Sequence, residues 1–258
     1  MPILSVITVV KDDATSLRRT LNSLITQDNT ALHFSNWELV IVDGSNPSLE
    51  SELSFGPKNR YFWQQPAGIY SAMNYGVSQA RGDYLLFINA GDTLATNETL
   101  EKLISLLTDK SPEWAFGRVL FSSESGRELN EPDWDYEVEA RRLFARGLFP
   151  SHQGTLIKRD LMNSLNGFDS SYQITSDYHL MLRASLVAHP LVLDFPLANF
   201  QQGGASTQNW RTASREFHRA RVEVFNPGGL AKIREWSDSA VGFVKTGLGH
   251  AVSRVHRG

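Results

Sequence analysis

The chain has 258 residues, 41% hydrophobic and 21% charged, which suits one large α/β domain or a domain with an added arm, with core enough to need neither disulfides nor structural metals. A formal net charge of −3 gives no reason to expect nucleic acid as a partner, and the lack of cysteine excludes disulfides and cysteine-based zinc sites. No apolar run approaches the roughly 20 residues that span a bilayer, and Met1-Pro2-Ile3-Leu4 enters a strand pattern without the basic start of a secretory signal.

Ile3 to Val10 is dense in β-branched residues and reads as a buried parallel strand. After the polar stretch Lys11 to Ser16, Leu17, Leu21, Leu24 and Ile25 recur at helical spacing, which predicts an amphipathic helix to about Gln27. Trp37 to Val42 is a second strand and Tyr61-Phe62-Trp63 a short third. Ile69 to Gln79 is a helix with Met73, Val77 and Ala80 inward. Tyr84 to Ile88 has the length and bulk of a strand buried on both faces. Glu98 to Leu107 follows as a helix, with Leu100, Leu103, Ile104 and Leu107 on one side, and Ala115 to Phe121 as a strand. This alternation is the signature of an α/β fold with a doubly wound, mostly parallel sheet flanked by helices.

The pattern weakens after Phe121. Ser122 to Asp135 reads as an exposed loop or hairpin and Tyr136 to Arg146 as a short amphipathic helix. His152 to Lys158, Ser176 to Ala188 and Leu191 to Phe195 suggest strand, helix and strand. Arg211 to Val224 is basic and helical, and after the break at Asn226-Pro227-Gly228-Gly229, Leu230 to Val255 predicts one more helix.

Ligands of open α/β sheets sit beyond the carboxyl ends of the strands. There, Val10 leads into Lys11-Asp12-Asp13, Val42 into Asp43-Gly44-Ser45, and Ile88 into Asn89-Ala90-Gly91-Asp92. The edge gathers carboxylates rather than a basic cradle. No GxxxxGK[ST] is present and no GxGxxG follows the first strand, which sets aside P-loop NTPases and dinucleotide binders. Asp92 offers oxygen to a hard divalent cation such as Mg²⁺ or Mn²⁺. The alternative is a plain turn, since Asn, Gly and Asp dominate turns. Carboxylates beside a phosphorylated ligand make sense if Asp43 meets donors on a base or sugar while a metal on Asp92 meets the diphosphate.

Four segments, SVITVVKDDATSLRRTLNSLITQ, ELVIVDGSNPS, QQPAGIYSAMNYGVSQARGDYLLFINAGDTL and SHQGTLIKRDLMNSLNGFDSSYQITSDYHLMLR, stand in the order found in family 2 glycosyltransferases of the GT-A fold. The chain resembles that family, and within it the bacterial polysaccharide-biosynthesis branch, over about residues 3–206; the Gly-Ile-Tyr-x-Ala-Met-Asn run is its most specific motif. The resemblance implies that Asp43 recognises the nucleotide base, that Asn89 contacts the ribose and that Asp92 binds a divalent cation, Mn or Mg. It also places Thr8, Asp12, Gly44, Gly68 and Asn74 in the donor site. Asp177 matches the base that deprotonates the acceptor hydroxyl; His152 and Gln153, with Gly204 and Ser206, match loops near the donor sugar and acceptor. An N-cap role on a helix from Tyr178 is the alternative for Asp177, and a structural histidine the alternative for His152. Ala67, Ser71 and Gln65 stand where the family often has carboxylates, so less negative charge lines the donor site, which leaves donor choice, metal dependence and strength of activity open.

The expected function is transfer of a hexosyl-type sugar, with inversion, from a nucleotide-diphosphate sugar to a glycan or polyprenyl-linked acceptor in polysaccharide biosynthesis. The rival within the fold is a non-catalytic sugar-nucleotide or glycan binder. A nucleotidyltransferase is disfavoured because Lys11-Asp12-Asp13-Ala14 lacks glycines. The expected domains are 1–207, split into a nucleotide-binding half (1–121) and an acceptor half (122–207), and a C-terminal helical extension (208–258). In that extension Lys232, Arg234, Lys245, Arg254 and Arg257 outnumber Glu235 and Asp238, while Leu230, Ile233, Trp236, Val244, Leu248 and Val255 can share a stripe. This suits either a membrane interface or packing within the protein. The expected location is the cytoplasm, at the inner face of the membrane in the first case.

Overall fold

The computed structural model describes residues 1–27, 36–52, 59–122, 128–130, 143–144, 149–201, 209–229 and 239. Its first half alternates as the sequence predicts, with one added short strand, β5: β1 (Leu4–Val10), α1 (Ala14–Ile25), β2 (Trp37–Asp43), β3 (Asn59–Trp63), α2 (Ile69–Gln79), β4 (Tyr84–Phe87), β5 (Thr93–Leu94) and α3 (Thr99–Lys110). Then come β6 (Trp114–Phe116), β7 (Val119–Ser122), β8 (Glu128–Asn130), β9 (Thr155–Lys158), α4 (Arg159–Ser164), α5 (Ser176–Val187), β10 (Leu191–Val192), β11 (Ala198–Gln201) and α6 (Trp210–Phe225). The expected helices over 136–146 and 230–255 lie outside the described residues, apart from 143–144 and Ser239. No helix among the described residues is long and apolar enough to cross a membrane.

The main sheet has seven strands in the order β10-β6-β9-β4-β1-β2-β3. β1 pairs in parallel with β2 and β4, so their carboxyl ends lie side by side. Both faces are covered. Ile7, Val9, Leu85 and Phe87 pack with Met73 of α2 and Leu180, Met181 and Leu182 of α5. Leu4, Val6, Val10 and Leu86 pack with Leu17, Leu21 and Leu24 of α1 and Leu100, Leu103 and Leu107 of α3. Burial on two sides is why these strands read as unbroken apolar runs.

Beyond the unexpected short elements β5, α4 and β11, and a strand that starts at Thr155 rather than His152, two departures from expectation shape the site. The segment Ala115–Phe121 is two strands rather than one: β6 belongs to the main sheet and β7 to a second, four-stranded sheet in the order β5-β11-β7-β8. The switch occurs where the Gly117 N–H donates to the Gly154 carbonyl (2.9 Å) and the Arg118 carbonyl accepts from Leu197 N–H (2.9 Å), so the backbone changes partners there. Secondly, β9 runs antiparallel between β4 and β6, with Leu86 opposite Leu156 and Tyr84 opposite Lys158. A reversed strand begins where its neighbour ends. The 3₁₀ turn His152–Gly154 before β9 is thereby brought to the carboxyl end of β4.

On the other side of α5, His179 is buried, stacks on Tyr172 at 4.8 Å between centroids, and lies 3.9 Å from the Glu223 carboxylate. Burial, followed by the charge of Arg183 and against the pull of Glu223 and Asp169, lowers its pKa from 6.5 to about 4. The folded protein therefore refuses a proton that the unfolded chain accepts. Stability contributed by neutral His179 is present above about pH 6.5 and is lost as pH falls toward 4. A displacement of that size is worth roughly 3 kcal/mol of stability. Urea midpoints measured on either side of this window will fall further for the wild type than for His179→Gln; equal slopes would contradict the assignment.

Candidate functional site

Gly44, Gln64, Gln65, Pro66, Ala67, Gly68, Ile69, Lys11, Asp13, Asn89 and Ala90 surround a cleft of about 450 Å³ at the carboxyl ends of β1, β2 and β4. Of the sequence-predicted residues, Gly44, Gly68 and Asn89 line it. Gly68 precedes α2 with φ 98°, a backbone that glycine adopts without strain.

Asp43 lies just beneath. It is fully buried, and its carboxylate accepts hydrogen bonds from Ser45 N–H (2.8 Å), Leu49 N–H (2.7 Å) and the Tyr61 hydroxyl. Burial raises its pKa, but these bonds outweigh it and the net direction is down, so Asp43 holds a full charge. In turn, burial and the bond to Asp43 push Tyr61 up to about 12. Asp43 therefore spends its acceptors on the loop that carries Gly44 and Ser45. Asp12 ties the same loop to β1: its N–H donates to Ser45 Oγ (2.7 Å) and its Oδ1 accepts from Asn46 N–H (3.2 Å).

Besides Asp12 and Asp43, two further predicted donor residues do not line the cleft. Thr8 is fully buried and donates to the Ile88 carbonyl (2.8 Å). Asn74 clasps Phe168, donating to its carbonyl (2.7 Å) and accepting from its N–H (2.9 Å). Both side chains brace the scaffold in this structure.

The turn Asn89–Asp92 is secured from α1. Thr20 donates to the Asp92 carbonyl (2.7 Å) and accepts from Gly91 N–H (3.0 Å), with Gly91 at φ 101°. Asp92 is 6% exposed as a residue, and its carboxylate accepts from Gln153 Nε2 at 3.1 Å. No three ligand-type His, Asp or Glu side chains converge among the described residues. A single carboxylate suits only a Mg²⁺-like ion that takes most ligands from substrate phosphates and water rather than from a protein cage.

Four side chains form a continuous hydrogen-bonded file. Asn89 Nδ2 donates to His152 Nε2 (3.0 Å), and His152 Nδ1 meets Asp177 Oδ2 (3.1 Å). Asp177 Oδ1 accepts from Tyr178 N–H (2.9 Å) and lies 3.2 Å from the Tyr70 hydroxyl, whose one proton it shares with the Ile174 carbonyl. A tautomer with its proton on Nδ1 satisfies both contacts, Nε2 accepting from Asn89 and Nδ1–H donating to the Asp177 carboxylate. The two side chains remain 20% and 16% exposed. Burial, and then the charge of Asp177, raises the Tyr70 pKa far above its usual value, so Tyr70 stays a donor. Thr175 is the cap of α5 and Asp177 lies in its first turn, so the N-cap alternative for Asp177 gives way to a carboxylate shared with His152 and Tyr70.

Asp12, Asp43, Gly44, Gly68, Asn89, Asp92, His152, Gln153 and Asp177 thus gather at one sheet edge, while Gly204 and Ser206 lie outside the described residues. Sequence reasoning assigned no role to Tyr70 or Thr20. Tyr70 sits in the unusual Gly-Ile-Tyr run, and Thr20 is a polar residue on the apolar face of α1; those were the available signals.

Comparison with known proteins agrees with this geometry. The family model "Glycosyl transferase family 2" matches residues 5–165. An uncharacterized glycosyltransferase of Mycobacterium tuberculosis (strain CDC 1551 / Oshkosh) is 26% identical over 212 residues, covering 80% of this chain and 78% of the relative. A PGL/p-HBAD biosynthesis glycosyltransferase of Mycobacterium bovis (strain BCG / Pasteur 1173P2) is 28% identical over 189 residues, 70% of this chain and 69% of the relative. Among solved structures, S. aureus TarS in complex with UDP superposes with a TM-score of 0.64 at 18% identity, over 95% of this chain and 71% of that one. The sheet order, the cleft at its carboxyl edge and the family match together identify the chain as a member of glycosyl transferase family 2, a glycosyltransferase with the GT-A fold.

Proposed function

We propose that this chain transfers a hexosyl-type sugar, with inversion, from a nucleotide-diphosphate sugar to a hydroxyl of a glycan or lipid-linked acceptor in bacterial polysaccharide biosynthesis. The observation that carries the reading is the file Asn89–His152–Asp177–Tyr70, which runs from the cleft wall to a partly exposed carboxylate. In this reading the nucleotide lies across the loop shaped by Asp43 and Asp12, and Gly44 and Gly68 let it approach the backbone. Asn89 Oδ1, buried with no partner among the described residues, accepts from a donor hydroxyl. Asp177 takes the proton of the acceptor hydroxyl as that oxygen attacks the anomeric carbon, and the nucleoside diphosphate leaves with the bonding pair. His152 and Tyr70 hold the carboxylate in place; one displacement inverts the carbon. Asp92, backed by Gln153, would hold a divalent cation, which when bound stabilises charge on the departing diphosphate.

Support for the donor class comes from TarS, solved with UDP and with UDP-GlcNAc. A non-catalytic binder is favoured by Ala67 and Ser71, where the family often has carboxylates; such a protein would release no nucleotide from any donor. In a thermal-shift screen of UDP, GDP and their sugars with and without Mg²⁺ or Mn²⁺, one nucleotide will stabilise the protein by ~2.7 kcal/mol at one hundred times its dissociation constant. That shift will require metal and disappear in Asp92→Ala. Absence of a shift with every nucleotide would contradict the reading.

A further inference from the structure

α6 lies beyond the stretch matched by the family model, yet it reaches back to the site. Its Glu216 is 8% exposed, and a buried carboxylate is stable only where hydrogen bonds replace water. Here the partners are three consecutive backbone amides. Gln173 N–H donates to Oε1 (2.7 Å), and Ile174 N–H (2.9 Å) and Thr175 N–H (3.0 Å) donate to Oε2. The Thr175 hydroxyl adds a weaker bond at 3.3 Å. These amides lead into α5, whose cap residue Thr175 makes no side-chain capping bond of its own. Glu216, 41 residues away, supplies the anion that the start of this helix attracts.

The consequence reaches Asp177 through one peptide plane. The unit joining Ile174 to Thr175 has its N–H on Glu216 and its carbonyl on the Tyr70 hydroxyl. The same hydroxyl faces Asp177. Rotation of that peptide would carry Tyr70 away from Asp177 and swing the first turn of α5. α6 is itself firmly seated: Ala213 and Ala220 are buried, and Phe217 packs edge-on against Tyr178 at 4.9 Å.

We propose that Glu216 is a positioning residue for the transfer reaction, and that α6 is a working part of the catalytic unit rather than an appendage to it. Glu216 fixes the peptide between Ile174 and Thr175, and through it the geometry of Asp177 and Tyr70. This rests on Asp177 being the base. The variant to make is Glu216→Gln, which keeps the volume but replaces one acceptor oxygen with a donor that opposes the amides.

Two readouts are needed: hydrogen–deuterium exchange of the free protein, and nucleotide release from whichever UDP- or GDP-sugar the wild type turns over fastest. Glu216→Gln will exchange faster at residues 173–177 while α1 to α3 stay protected. Its kcat will fall roughly ten- to a hundredfold with donor KM within about twofold, since small misplacement of a reacting group is costly. In an Asp177→Asn background the same change will cost nothing further, because there is no base left to misplace. If the Gln variant does not fold, Glu216→Asp, which keeps the charge but shortens the reach, carries the same readouts with smaller losses. Unchanged exchange, unchanged kcat, or an equal loss in the Asp177→Asn background would overturn the proposal. Wild-type turnover by Asp177→Asn itself would instead remove the base assignment and this proposal with it.

Discussion

Asp177→Asn will cut turnover by ~10²–10⁴-fold, the usual contribution of a general base, and leave donor affinity within about twofold. The amide keeps the size of the carboxylate but has one acceptor oxygen where the carboxylate offers two, one to His152 and the other to Tyr70 and Tyr178. It also loses basicity. His152 Nδ1–H would keep an acceptor only if the amide oxygen faces it, and Tyr178 N–H would then face the amide nitrogen. Some loss of order in the first turn of α5 is therefore expected, and an unfolding midpoint measured beside the activity separates the two effects. Donor binding is insulated because Asp177 is not on the cleft wall: Asn89 and His152 stand between. Nucleotide titration by calorimetry checks this half of the prediction. A variant with wild-type turnover would refute the base assignment, and one that has lost donor binding would place Asp177 in the donor site instead.

Gly154→Ala is expected to act on stability and on the site together. A Cβ at this position would sit 2.5 Å from the Gly117 carbonyl oxygen and 2.7 Å from a Val119 methyl carbon. The first obstacle is backbone, fixed by the Gly117 N–H bond to the Gly154 carbonyl, and cannot rotate aside. Overpacking of this kind costs about 1–3 kcal/mol. The cheapest relief is to shift the 3₁₀ turn, which carries His152 to Asp177 and Gln153 to Asp92. The urea midpoint will fall without a change in m-value, and turnover will fall by more than the folded fraction explains. Activity that tracks folded fraction alone would show that the turn can move without disturbing the file.

The legibility of this fold depended on the range over which each feature is encoded. β1, β2 and β4 are apolar throughout because helices cover both faces, and a run such as Leu4–Val10 announces that burial locally. The direction of β9 is not local information: Thr155–Lys158 looks the same parallel or antiparallel, and only pairing with β4 and β6 decides. β5 and β11 are two and four residues long, too short for a period-2 pattern. The break at Gly117 was visible as a glycine, but its reason, a carbonyl from the Phe195 segment where a side chain would go, is a distant contact.

At the site, residue type was legible and orientation was not. Asp43, Thr8 and Asn74 stand at motif positions, yet their polar atoms are taken by Leu49, Ile88 and Phe168. His152, Asp177 and Asn89 were singled out separately. Their union depends on reversed β9 delivering His152 beside the end of β4, which no spacing along the chain could state. Glu216 was invisible for the same reason, since its three amide partners lie more than forty residues away.

Transfer by a single displacement assisted by Asp177 leaves its mark on the anomeric configuration of the first-formed product. With water as acceptor no acceptor need be known: proton NMR of the sugar released from a donor of defined anomer, recorded before mutarotation, reads the stereochemistry. The expected product is the anomer opposite to the donor's, with the signal lost in Asp177→Asn. Release of the same anomer as the donor would contradict a single displacement.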